Sequence, residues 1–438
     1  MEAVQIEAPQ HVVFESLSGS AERVDINKLL PLIKLRGEGY NPIKKAHIYC
    51  QVAHRVRRKK LTIGDQFHDM RIHVDTALHM GGGKRRIKEF HELWTPNEHI
   101  DTSGSVISPS YLAPTDIWKE QLVGKVDKYV TKRGEVRIDK VPGYLCDANL
   151  LVFDEAIPLW TENIHTASRS DIRQAKDPMM SNKILKKNTN IRVQDRLEYY
   201  PDCTILLFIQ DSGWRGRPML PCDLIKKGDL RRDIVVYRRF TEEERLEAFS
   251  EDETPIDGSE AKDLWEKILS NANKVNEIMR GFSPSDNREP LCVEDEHYLR
   301  KRASELHKIG IESGGNAKEF TLGALWDIIF YLARFSLVQA IMNGRTKATN
   351  EDIDAAFNDY GEIWASQINF LNVMVEPLPS KGMPPDEVNA LLRLSELLDG
   401  SGKNVTKSRF IEVLKCARIC GIVDKYIKFL YPYSTHQT

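Results

Sequence analysis

The feature that most constrains this chain is the run Leu78-His79-Met80-Gly81-Gly82-Gly83-Lys84-Arg85. A strand-like segment, Arg71 to Ala77, leads into it, and a helix-forming segment, Arg86 to Phe90, follows. Strand, glycine-rich turn, lysine and helix together make a phosphate cradle. Successive backbone N–H groups and the helix N-terminus face the anion, and the lysine reaches the outer phosphates. Gly81, Gly82, Gly83, Lys84 and Arg85 are the candidate contacts. The full pattern has glycine where Leu78 stands and Ser or Thr where Arg85 stands.

A second stretch gives the loop its context. Leu150-Leu151-Val152-Phe153 is apolar without alternation, as in a strand buried on both faces, and it ends in Asp154 and Glu155. Carboxylates at the C-terminal end of such a strand lie at the mouth of an α/β sheet, where ligands bind. In phosphoryl transfer an Asp there holds Mg²⁺ through water, and a following Glu orients the attacking water. Cys203 to Asp211 reads as another buried strand, with Gln210 near its end, and Asp233 to Tyr237 as one more, preceded by Arg231 and Arg232. Strands separated by helical stretches predict a parallel α/β sheet. Lys125 to Lys140 alternates and is charged, which predicts an exposed hairpin. A basic stretch, Asn182 to Arg196, also fits a hairpin, and neutralising phosphates needs such cations.

Beyond about residue 241 the pattern becomes helical. Thr241 starts one helix, and Ser250 to Glu260 is an acidic loop. Ala261 to Arg280 and Glu294 to Ile309 read as amphipathic helices, Thr321 to Asn343 as one long buried helix, and Thr349 as the cap of another. Asn41 to Lys60 reads as a helix ahead of the loop. Lys+Arg 62 against Asp+Glu 64 gives a net charge of −2, so any nucleic-acid contact must come from local patches. No apolar run is read as a membrane span, and Met1 to Gln10 has no secretory signature. Seven scattered cysteines without a C-x-x-C pair argue against structural zinc and for a reduced compartment. His47, His54, His68, His73, His79, His91, His99 and His165 show no ligand spacing and read as structural or surface groups.

These residues resemble the ATPase half of the minichromosome-maintenance (MCM) replicative helicases, of the AAA+ superfamily. The resemblance spans roughly residues 36–375. It rests on Asn41 to Ala46, Arg71 to Val74, Thr102-Ser103-Gly104, Gly143 to Asp147 with Leu150 to Glu155, Leu220-Pro221 with Leu230 to Ile234, and Thr321 to Phe357. It implies an α/β P-loop NTPase fold (AAA+) with a parallel sheet, followed by an α-helical lid and a small winged-helix-like C-terminal domain. The implied boundaries are 1–35 for a lead-in, 36–245 for the ATPase core, 246–375 for the lid and 376–438 for a linker and winged helix.

By the same resemblance, ATP with Mg²⁺ sits at subunit interfaces of a ring, formed by copies of this chain or with a related subunit. Lys84 binds phosphate, Gln210 takes the sensor position, Asp154 holds Mg²⁺ through water and Glu155 positions water. Arg231 is the finger that enters the neighbouring site, and Lys186, Lys187 and Arg192 form a hairpin that touches DNA. The implied function is an intracellular, ATP-dependent DNA helicase or translocase of replication, in the nucleus or in the cytoplasm and nucleoid. The departures are Leu78, Arg85, Gln210 for an asparagine, and Gly323 where the lid arginine falls. About 35 residues precede the match, so the family's large N-terminal DNA-binding domain is not expected in this chain. These departures give the alternative, a degenerate MCM-like subunit that binds DNA or a partner helicase without hydrolysing ATP.

Overall fold

The computed structural model describes residues 23–57, 59–64, 66–79, 81–94, 110–112, 124–143, 150–153, 156, 176, 185–187, 197–199, 203–211, 220, 222–226, 228, 230–239, 258–280 and 291–375. All of them belong to one compact unit, Met1–Glu376. The turn at Thr102, the helix at Thr241 and the winged-helix segment lie outside the described residues.

The apolar runs singled out above pair side by side. Strands β3 (Val74–His79), β4 (Ser110–Leu112), β7 (Leu150–Phe153), β10 (Thr204–Asp211) and β11 (Ile234–Arg238) form a five-stranded sheet in the order β11-β3-β10-β7-β4. Every pairing in it is parallel. Its central strands are sealed on both faces: Val74, Ala77, Leu78, Leu151, Phe153, Leu207 and Phe208 are fully buried. Burial of each such large apolar side chain stabilises by roughly 1.5–3 kcal/mol. The chain is thus an α/β unit, as the strand pattern predicts.

A second sheet went unread in the sequence. Strands β1 (Lys60–Ile63), β2 (Gln66–Asp69), β12 (Leu291–Val293) and β13 (Lys347–Ala348) order as β13-β12-β1-β2. Helix α1 (Asn41–Arg55) therefore stops short, and Lys60 opens a strand instead of closing the helix. The predicted exposed hairpin is present as β5 (Gly124–Val130) and β6 (Val136–Pro142), paired antiparallel. A second hairpin joins β8 (Leu185–Lys187) to β9 (Leu197–Tyr199), and β9 packs against both strands of the first.

Among the described residues eight α-helices have defined bounds, α1 (Asn41–Arg55), α2 (Lys84–Trp94), α3 (Asp223–Lys226), α4 (Ser259–Arg280), α5 (Glu296–Glu312), α6 (Gly315–Leu322), α7 (Leu325–Met342) and α8 (Asn350–Met374), beside two 3-10 helices, Ile26–Leu32 and Glu38–Tyr40. The single helix expected over Thr321 to Asn343 is broken at Gly323-Ala324, where α6 stops and α7 begins. Helix α7 has the length and apolarity of a membrane span, with a mean hydropathy of 1.4 over 18 residues, but 83% of that window is buried in the molecule. Helix α8 starts with a capping box in which Thr349 and Asp352 each bond the other's backbone.

Helix α1 is the centre of the packing, with every residue from Ile43 to His54 buried. One of its faces meets α7 and α8 through a polar clamp. Lys45 Nζ lies 2.9 Å from Asp359 and 2.7 Å from Glu362. Tyr49 donates to Asp359 at 2.6 Å, and Gln339 Nε2 donates to the Tyr49 hydroxyl at 2.5 Å. Removing one partner from a buried pair leaves the other charge unanswered. Lys45→Ala is therefore expected to lower the unfolding free energy by about 3–5 kcal/mol, measured by urea denaturation. A loss below about 1 kcal/mol, the range of an exposed pair, would show the clamp to be dispensable.

Candidate functional site

The glycine loop lies where β3 ends at the carboxyl edge of the five-stranded sheet. Leu78 is not part of the turn. It is the penultimate residue of β3, fully buried, and pairs with Gln210 of β10 on one side and Arg238 of β11 on the other. The turn proper is His79 to Gly83. Gly82 N–H donates to the His79 carbonyl at 3.0 Å and Arg86 N–H to the Gly83 carbonyl at 2.9 Å, which starts α2. Gly81 and Gly83 have φ of 80° and 86°, a region that side-chain-bearing residues avoid. Gly83 also abuts Leu35: a Cβ there would lie 2.2 Å from Leu35 Cδ2.

Lys84, the first residue of α2, extends its Nζ to 3.5 Å from Gln210 Oε1. Two candidates from opposite ends of the sequence reading thus meet at the carboxyl edge, between the loop strand β3 and the carboxylate strand β7, both of which pair with β10. Arg85 points elsewhere. Its side chain is 90% exposed, and its Nε donates to Glu89 Oε1 at 2.9 Å, an i,i+4 surface pair. Asp154, Glu155 and Arg192 lie outside the described residues, as do the side chains of Lys186 and Lys187, which belong to β8. Among the described residues no cluster of His, Cys, Asp or Glu could hold a metal ion.

Arg231 sits at the other end of the sheet, in the turn before β11, whose first residue Ile234 pairs with Val74 at the start of β3. Six residues of strand, roughly 20 Å at 3.3 Å per residue, separate it from the loop. Its guanidinium rests on Gly323, where a Cβ would fall 1.8 Å from Nη2, and its Nε is buried without a hydrogen-bond partner. The next residue, Arg232, pairs with Asp327 of α7 at 3.1 Å.

Several neighbours of the loop were not found by sequence reasoning. Tyr40 donates its hydroxyl to the Gly82 carbonyl at 3.3 Å, and Arg238, the last residue of β11, lies over the Tyr40 ring with its Cζ 5.2 Å from the centroid. The signal for Arg238 was present: an arginine at the end of a buried strand is bound to reach the carboxyl edge. The β5–β6 hairpin was expected from the sequence as an exposed element, but not as a candidate contact for phosphates. Its outer part exposes Lys132, Arg133, Arg137 and Lys140 against Glu135 and Asp139, an excess of two positive charges (four minus two). Val130 and Val136, opposite each other, are 66% and 57% exposed.

Behind the loop runs a buried chain of hydrogen bonds. Its direction follows from its last acceptor, the Trp94 carbonyl, which receives Gln51 Nε2 at 2.6 Å. Gln51 Oε1 must then accept, so His91 Nδ1 carries a proton and donates to it at 2.8 Å. His91 Nε2 in turn accepts from His47 Nδ1 at 2.9 Å, and His47 Nε2 accepts from the Thr76 hydroxyl at 2.8 Å. Both imidazoles are neutral in this arrangement, and the chain ties α1 to β3 and to α2.

Burial holds His91 down at about 3 and His47 well below the usual imidazole range, with the second imidazole adding to the shift of His47. Burial also lowers His54, which bonds Thr204 Oγ1 at 2.8 Å.

The chain matches no model of a known protein family and no curated protein.

The three neutral histidines fix the sign of an acid response. Below about pH 6.5 an unfolded imidazole takes up a proton, whereas His91 in the folded protein stays neutral down to about 3. The unfolded state therefore binds more protons, and stability falls as the pH drops below 6.5, by up to about 1.4 kcal/mol per pH unit for each histidine. Urea midpoints are expected to decline steadily from pH 7 to pH 5. His91→Gln should show a shallower decline, and an unchanged slope would remove His91 from the account.

Proposed function

We propose that this chain is an MCM-like P-loop ATPase of the AAA+ type that acts on DNA, with nucleotide held at the carboxyl edge of the parallel sheet. The observation that carries the reading is the approach of Lys84 Nζ to Gln210 Oε1 across the end of β3, directly beside the glycine turn. A lysine and an amide converging there can hold and sense the outer phosphate, while the turn offers backbone N–H groups and the N-terminus of α2. The strand order supports the reading too, because it sets β7, which runs on into Asp154 and Glu155, one strand away from β3.

In this reading Mg²⁺ held by Asp154 would spread the charge of the transferring phosphoryl group. Glu155 would orient the attacking water. Arg231, roughly 20 Å of strand away from its own loop, would serve the site of an adjacent subunit in a ring of this chain or a related one. The hairpins at Lys186-Lys187 and at Lys132-Arg133 would meet the phosphates of a DNA strand. The helices after residue 258 would be the lid, and a winged helix would follow.

One observation favours the second reading, a subunit that binds nucleotide or DNA without turning ATP over. Arg85 holds the place of the metal-binding hydroxyl, yet it pairs with Glu89 on the surface and so supplies nothing in its stead. Gly323 likewise offers no lid cation.

Steady-state ATP hydrolysis with and without single-stranded DNA separates the two. A working motor gives DNA-stimulated turnover that falls at least ten-fold in Lys84→Ala and Glu155→Gln, a loss of about 1.4 kcal/mol or more in transition-state stabilisation. Turnover no higher than in both variants, together with saturable ATP binding that Lys84→Ala weakens, selects the non-hydrolysing subunit. No ATP binding at all would refute both nucleotide readings.

A further inference from the structure

At the amino edge of the sheet, away from the glycine loop, the fold buries an arginine that forms no ion pair among the described residues. Arg334 of α7 is fully buried. Its Nε donates to the Asp69 carbonyl at 2.7 Å, and its Cζ lies 5.3 Å from the centroid of the Tyr331 ring. Nη1 and Nη2, which carry four N–H bonds between them, reach no protein acceptor. The Tyr331 hydroxyl, one turn earlier on the same helix and also buried, has no partner either, nor does Nε2 of His68, whose ring lies tilted against Phe330 with centroids 3.5 Å apart.

The carboxylates nearby are engaged with other cations. Asp69 pairs with Arg71 at 3.0 Å, Asp327 with Arg232 at 3.1 Å, and Asp233 with the buried Lys176. Beside these three pairs Arg334 has no ion pair among the described residues. A guanidinium does not shed its proton in a protein. Leaving that charge and its donors unanswered in the interior is far costlier than filling the space with something that accepts hydrogen bonds.

We propose that Arg334 and Tyr331 form a buried binding site for one small monovalent anion of the halide class, with His68 at its rim. The single buried guanidinium with two unpartnered nitrogens sets the valence. The ligand set is made of donors alone: the two terminal nitrogens of Arg334, the Tyr331 hydroxyl and the His68 ring, the last in the tautomer protonated at Nε2. Burial supports the assignment by raising Tyr331 well above the ordinary phenol range, so that its hydroxyl stays a donor. Burial, with Arg334 and Arg232, holds His68 at about 3, so it adds no second charge. The anion joins α7 to the end of β2. The site is independent of nucleotide.

The test is thermal unfolding of the full chain in sodium chloride against sodium gluconate at matched ionic strength, with bromide as a second halide. The wild type is expected to gain stability saturably with chloride or bromide and not with gluconate. Arg334→Met, which replaces the cation by an apolar side chain of similar length, should lose the dependence. Tyr331→Phe, which keeps charge and packing, should need roughly ten-fold more chloride for half the effect, the loss of one charge-assisted hydrogen bond. Should Arg334→Met fail to fold, Tyr331→Phe and the broadening of the chloride NMR line by the wild type carry the decision. Equal melting in chloride and gluconate, as for a pocket filled by water alone, would overturn the proposal. So would a chloride response left intact in Tyr331→Phe with no chloride line broadening by the wild type.

Discussion

A hydrogen-bond chain with one permitted direction holds together the elements that flank the glycine turn. The Trp94 carbonyl can only accept, and from that single fact the proton on each imidazole between it and Thr76 is determined. The consequence is mechanical. Thr76 lies in β3, which leads into the turn, and His91 in α2, which leads out of it, so both sides of the turn are anchored to the same face of α1. The opposite face of α1 is locked to α7 and α8 by Lys45, Tyr49, Gln339 and Asp359. A helix with so little access to water must have its polar side chains answered inside the protein, and α1 does this on two sides with two chemistries, neutral on the sheet side and ionic on the bundle side.

The parallel sheet then gives the molecule two unlike ends. Its carboxyl edge gathers the glycine turn, Lys84, Gln210, Tyr40 and Arg238. Its amino edge gathers Arg231, Gly323, the Arg232–Asp327 pair and the buried Arg334. Because all five strands run the same way, the length of β3 keeps these groups apart however the loops move. Arg231 and the glycine turn of one molecule therefore do not meet.

The parts of the fold that were legible in the sequence share a physical cause. Strands β7, β10 and β11 are buried on both faces, and burial on both faces writes a continuous apolar run that no turn or surface helix imitates, whereas β3 carries Asp75, Thr76 and His79 and was legible from the glycine loop that follows it. The second sheet left no such trace. Lys60-Leu61-Thr62-Ile63 follows Arg57, Arg58 and Lys59 and reads as the basic end of α1, and β12 and β13 are too short to show a period. The break between α6 and α7 was visible as Gly323, yet the reason for a glycine was not, since Arg231 lies 92 positions earlier (323 minus 231) and meets it only in the folded chain. Arg85 shows the opposite case. Its i,i+4 spacing to Glu89 could have been read from the sequence and would have turned it away from the phosphate position.

Helix α7 has a consequence for how this protein is made. It is apolar enough to pass for a membrane span, and the element that covers more of it than any other, α8, comes later in the sequence. During synthesis the ribosome releases Leu325–Met342 while the 32 residues up to Met374 (374 minus 342) are still to come. At about 5–20 residues per second, that leaves the most hydrophobic stretch of the described chain without α8, its largest single cover, for roughly 2–6 s. A nascent chain in that state is a natural client for a ribosome-associated chaperone, and slowing elongation between α7 and α8 would raise the fraction that aggregates before it can fold.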